Sequence, residues 1–106
     1  MEIQINAKYV KGTVTVRKSR YIADKSIALG LFDGRGQLAT ATVCLTGMTP
    51  GEDEVWVKDW SENEGIRDEL IRTGVIGPIL GTCPTGHTEA TLHKVLIDLV
   101  DESGVK

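Results

Sequence analysis

A chain of 106 residues is enough for one domain with a single modest core. A composition of 41% hydrophobic against 25% charged residues excludes a disordered chain. A net charge of −3 and five aromatics argue against a dedicated nucleic-acid binder. No apolar run approaches the ~20 residues of a membrane span. Met1-Glu2-Ile3-Gln4 offers neither a basic nor an apolar leader, so no signal peptide is expected. Cys44 and Cys83 are then expected as reduced thiols in a cytoplasmic protein.

In chain order, residues 2–8 alternate Ile3, Ile5 and Ala7 with polar neighbours, and Thr13-Val14-Thr15-Val16-Arg17 is a β-branched run of period two. The two read as a hairpin turning at Lys11-Gly12. Residues 26–32 form a third strand, in which Gly30 signals a bulge or a close backbone approach. Asp33-Gly34-Arg35-Gly36 is a hairpin turn. A fourth strand over 37–45 would place Leu38, Val43 and Leu45 in the core. Strict alternation puts Leu38 out of phase with Val43, a second hint of a bulge.

Thr49-Pro50-Gly51 breaks the pattern, and a fifth strand over 54–60 follows, carrying Trp56 and Trp60 four apart on one face. Trp56 is expected in the core. Ser61 and Glu64 have the spacing of a capping box. With Ile66, Leu70 and Ile71 on one stripe and Gly74 at a left-handed C-cap, this predicts one helix over 61–74. Residues 79–100 hold the final strand region. Residues 88–97 fit either a helix or a strand, and Val95, Ile97 and the Pro84-Thr85-Gly86 turn favour the strand. Residues 101–106 read as a frayed terminus. The whole is a single α+β domain, 1–106. Its expected form is a mainly antiparallel sheet of about five to six strands with one short helix packed on it.

No pattern carries catalysis. Cys83, His87 and His93 match no zinc template, and no base or orienting acid accompanies either cysteine. The expectation is a non-enzyme with no metal and no cofactor. Charge is uneven. Residues 1–46 hold seven bases against three acids, and residues 47–106 five against twelve. Residues 51–69 alone hold eight acids and two bases, so Asp53, Glu54, Asp59, Trp60, Glu62, Glu64 and Asp68 are candidates for contact with a basic partner. Arg17, Lys18, Arg20 and Arg35 are the alternative set. They would hold a small ligand such as a nucleotide, sequestered at a subunit interface, with Gly34 and Gly36 admitting the backbone. A weak nucleic-acid contact by the basic half, which also carries Tyr9 and Tyr21, is a third option. The strand 2–8, guarded by Lys8 alone, is an edge that invites a symmetric homodimer.

Lys58-Asp59-Trp60, Ser61-Glu62-Asn63-Glu64-Gly65, Gly74-Val75-Ile76 and Pro84-Thr85-Gly86 together resemble a family of small phage- and plasmid-borne bacterial proteins of unknown function. The resemblance covers about the C-terminal half. It implies a single α+β domain, a strand at 88–97, a mobile-element setting and no catalytic residue. His87-Thr88-Glu89 departs from it, an aromatic being more usual there. In that setting the acidic set suggests an interaction protein, a counter-defence (anti-CRISPR-like) inhibitor that meets a basic surface on a protein of the bacterial host.

Overall fold

The computed structural model describes residues 1–102. Seven strands form two antiparallel sheets beside one short α-helix, an α+β arrangement. The first sheet is β1 (Glu2–Asn6), β2 (Lys11–Arg20), β3 (Ile27–Asp33) and β4 (Gly36–Thr40), in chain order. The second is built from β5 (Glu54–Val57), β6 (Gly81–Thr85) and β7 (Thr88–Lys94), with β7 in the middle. A 3-10 turn (Ser61–Asn63) and α1 (Ile66–Arg72) lie between β5 and β6.

The strands fall into two sheets rather than one, and the chain passes from the first to the second after β4. The Ala41 N–H donates to the Leu29 carbonyl of β3, whereas the Val43 N–H donates to Trp56 and Lys58 donates back to Ala41. Residues 41–43 therefore bond to both sheets and stitch them together. Val43 and Leu45, expected inside, stand only half-buried past β4, and the core positions fall to Ala39 and Ala41.

One apolar cluster draws on both sheets and the helix. Ile3, Ile5, Val14, Val16, Leu29 and Leu31 come from the first sheet, Val55 and Val57 from β5, and Ile66 and Leu70 from α1. Trp56 is buried as expected, on the opposite face of β5, and its indole N–H donates to the Met48 carbonyl at 2.7 Å. That bond removes the cost of burying the one polar atom of the ring. His93 of β7 is fully buried between two partners. Its Nδ1 lies 2.8 Å from the Gly77 carbonyl and its Nε2 2.7 Å from Thr91 Oγ1. Because a carbonyl can only accept, Nδ1 carries the proton and Thr91 donates to Nε2. Burial pushes the His93 pKa below its ordinary value, and nearby Arg67 acts in the same direction.

The first hairpin turns at residues 7–10, closed by Ala7 N–H donating to Val10, and not at Lys11-Gly12, which already pair with Asn6 and Ile5. The core requires this register, because it puts Val14 opposite Ile3. Both bulge signals are met. The register shifts between Leu31 and Phe32, which face Ala39 and Gln37, leaving Leu38 as the extra residue. A Cβ on Gly30 would stand 2.7 Å from the Phe32 ring, so the glycine is what lets that ring lie across the sheet.

The helix differs from its prediction at its start. Ser61 opens the 3-10 turn at φ 52°, and its hydroxyl caps nothing. The segment breaks again at Gly65 (φ 89°), whose absent Cβ leaves room for Ala7 at 3.4 Å. The α1 donors are met by Asp59 Oδ1, which accepts from the Gly65 N–H at 2.9 Å and the Arg67 N–H at 3.2 Å. The C-terminus ends as expected. Gly74 is left-handed, its N–H donates to Ile71, and the Val75 N–H donates to Leu70, the double bond of a Schellman end.

The 79–100 region holds two strands rather than one, with β6 and β7 joined by a turn at Gly86-His87. Residues 88–94 are strand, as the β-branched content favoured. Pro84 lies in β6, a terminal strand, where a missing N–H costs no ladder bond. Of the expected frayed end, 103–106 lie outside the described residues, whereas Asp101 and Glu102 are docked on β2. No described helix is long and apolar enough to cross a membrane.

Candidate functional site: the outer face of the first sheet

The inner face of β2 is taken by Val14 and Val16, so Thr13, Thr15, Arg17 and Ser19 point outward. Arg17 lies opposite Gly30, and Gly30 opposite Thr40; Thr15 lies opposite Phe32. The small residues Ala28 and Gly30 therefore sit between larger ones, and a depression of ≈ 320 Å³ opens over them. Its walls include Arg17, Lys18, Arg20, Tyr21, Phe32 and Glu102. That volume is within the range of small-molecule sites, whose usual makeup is an apolar floor with a few placed polar groups.

The Arg17 guanidinium lies 4.9 Å from the centre of the Phe32 ring, a cation–π contact that fixes the long side chain in place. The Tyr21 hydroxyl is 3.0 Å from Thr42 Oγ1, and burial raises its pKa, so it stays a neutral hydrogen-bonding group. Gln37 Nε2 donates to Thr40 Oγ1 at 2.9 Å. Three of the four basic residues chosen from the sequence thus line the depression, with Arg17 on its outward face and Lys18 and Arg20 opposite the core residues Leu29 and Ile27. Arg35 does not join them. At the tip of the β3–β4 turn its side chain is 86% exposed and pairs with Asp33 at 3.0 Å. Hydrogen bonds from the Arg35 backbone and side chain hold the Asp33 carboxyl below its usual range.

The acidic set is arranged differently. Folding brings bases to most of it. Glu64 pairs with Lys8 at 3.2 Å, Glu62 with Lys58 at 3.9 Å, and Asp59 and Asp68 with Arg67 at 3.6 and 3.5 Å. Asp59 is largely buried and is the cap of α1; Glu54 Oε1 accepts from the Gly51 N–H and ties its own turn. Trp60 is half-buried beside them, and Asp53 stands in the exposed turn before β5. The block that reads as strongly acidic in sequence is a mosaic of paired charges in space.

The edge of β1 is likewise occupied. The Asn6 N–H donates to Glu69 Oε1 at 2.7 Å and Arg72 Nη2 donates to the Gln4 carbonyl at 2.7 Å, while Arg72 and Glu69 hold each other at 3.0 Å. The Lys8 N–H donates to the Glu64 carbonyl. Glu69 and Arg72 of α1 thus engage two of the backbone groups that a second copy would use on the expected dimer edge, residues 2–8. Arg72, with Asn6 second, holds the Glu69 carboxyl below its usual range.

Cys83, His87 and His93 do not converge. His87 is exposed at a turn, His93 is buried, and the described residues contain no group of three or more His, Cys, Asp or Glu placed to hold a metal ion. The sequence reading missed Phe32, Gln37, Thr40 and Glu102 as wall residues. Gly30 was the available signal, because a glycine inside a strand marks a place where something lies close over the backbone. Comparison with protein-family models, with curated proteins and with solved structures finds no match.

Proposed function

We propose that this chain is a non-enzymatic binding protein that holds a small anionic ligand against the outer face of its first sheet. The observation that carries the reading is a depression floored by Ala28 and Gly30, where Arg17 lies over the Phe32 ring and Tyr21, Lys18 and Arg20 complete the lining. Guanidinium groups give paired donors to phosphate or carboxylate, and the aromatic walls suit a flat apolar body. A ligand that binds only the folded chain must raise its stability. A thermal-shift screen against nucleotides and simple organic anions, each in large excess, should therefore find stabilising ligands. A flat response to all of them would remove the reading.

The second reading is an interaction protein of a phage or plasmid, a counter-defence inhibitor acting on a basic host protein in the bacterial cytoplasm. It is supported by the exposure of Glu62 (67%), Glu64 (56%) and Asp68 (73%), each paired with a base of this chain. Surface pairs of this kind are worth ~0–1 kcal/mol, so their carboxylates can exchange to a partner's bases. The partner should then be captured from host extract at low salt and released as salt rises. Capture that ignores salt would count against an acidic contact.

A further inference from the structure

The cationic wall of the depression is met from within the chain. The Glu102 N–H donates to the Lys18 carbonyl at 2.9 Å, and Asp101 forms a parallel bridge with Lys18. Beyond the end of β1, the last described residues thus take the place beside β2 that β1 has vacated. Two carboxylates arrive with them, and they bind unequally. Asp101 Oδ2 accepts from Arg20 Nε at 2.6 Å, with both side chains mostly covered at 25% and 29% exposure. Arg20 also donates to the Lys25 carbonyl. Glu102 Oε2 reaches Arg17 Nε only to 3.8 Å, with both side chains about half exposed. The first pair anchors the segment. The second is a loose contact inside the cavity, and such half-exposed pairs contribute little.

We infer that the Glu102 carboxylate occupies the position of the ligand's own anionic group, and that the site takes a phosphate ester with a flat aromatic body. The inference rests on the ligand-binding reading above and deepens it. Arg17 is the residue both halves of such a ligand would use. Its Nε lies 3.8 Å from the acid and its guanidinium carbon 4.9 Å from the centre of the Phe32 ring, so an anionic head can replace Glu102 while a ring lies over Ala28 and Gly30. Arg17, Lys18 and Glu102 also line a second hollow, of ≈ 340 Å³, on the side of Met1 and Leu99. Withdrawal of Glu102 would open the first depression toward it. Inorganic phosphate alone would leave the aromatic wall uncovered, and a neutral nucleoside would leave Arg17 with Glu102.

The test is calorimetric titration of the full chain with AMP, adenosine and inorganic phosphate, for the wild type, Glu102→Gln and Arg17→Ala. Glu102→Gln removes a competing charge and should tighten AMP by about fivefold, the weight of one weak surface pair. Adenosine should stay weak for both chains, and Arg17→Ala should lose AMP while keeping the wild-type melting midpoint. AMP binding that is unchanged or weakened by Glu102→Gln would overturn the role of Glu102 and leave the ligand site standing. Adenosine binding as tightly as AMP would overturn the anionic head. If AMP, adenosine and phosphate all fail to bind both the wild type and Glu102→Gln, the ligand class falls. A flat thermal-shift screen beside that result would remove the site itself.

Discussion

The helix corner, residues 59–74, and the outer face of the first sheet are both rich in charge, yet they use it in opposite ways. At the corner the key charges have structural tasks. Asp59 caps α1, and Glu69 with Arg72 closes the β1 edge. On the sheet face, among the described residues, the Arg17 and Lys18 side chains support no turn, cap or edge, and Arg17 rests on the Phe32 ring and a loose acid from the far end of the chain. Charge that satisfies backbone groups is committed to the fold, and charge that leans on a distant, exposed partner can be exchanged. Mutation should separate the two, with stability lost at the corner and binding lost on the face.

The largest effect belongs to Leu70→Ala. Leu70 is fully buried between α1 and the core, and the cavity left behind should cost about 3 kcal/mol in denaturant unfolding. Gly65→Ala comes next. A left-handed φ of 89° and the contact with Ala7 should cost about 1–2 kcal/mol. Asp59→Ala should cost a similar ~1–2 kcal/mol, since two backbone donors of α1 lose their acceptor. Ser61→Ala is the sharp contrast. Its hydroxyl caps nothing, so the change should stay within about 0.5 kcal/mol. A loss at Ser61 as large as at Asp59 would restore the Ser61–Glu64 box and contradict this geometry.

Acidification should reach the fold first through His93 and then through carboxylates such as Glu69. His93 is held neutral, with a folded pKa below its ordinary 6.5. Its contribution is therefore complete above pH ~6.5 and is lost as pH falls toward the folded value, because the unfolded chain takes up the proton first. Glu69, whose folded pKa is also depressed from 4.5, contributes fully above that pH and loses its contribution as pH falls through the folded value. Stability measured by urea midpoint should be level at neutral pH, begin to fall below ~6.5 and fall further below ~4.5. In His93→Gln the first decline should disappear and the second remain.

Much of the fold was legible because its signals are local. Alternation marked the first two strands, Gly74 gave the end of α1, and Gly30 with Leu38 marked the bulge. The stitch at 41–43 was not legible, since nothing local tells a strand that its two halves will pair with different sheets. Ser61 misled because the box depends only on spacing, whereas the chain turns at Gly65 and gives the cap to a residue six positions earlier. The candidate site was half legible. Arg17, Lys18 and Arg20 stood out as bases, but a single phenylalanine reads as core, and only the pairing of Phe32 with Thr15 puts it outside. Glu102 could not be found from sequence, because it lies more than eighty residues from Arg17.

The comparison between the corner and the face is tested most directly by following the backbone amide resonances of the folded chain during a titration with AMP. The account predicts saturable shifts at Arg17, Lys18, Ser19, Ala28, Gly30, Phe32 and Thr40, with Glu102 moving in the same titration and residues 59–72 unmoved. Shifts that gather at 59–68 and leave the sheet face still would place the working surface at the helix corner and contradict it.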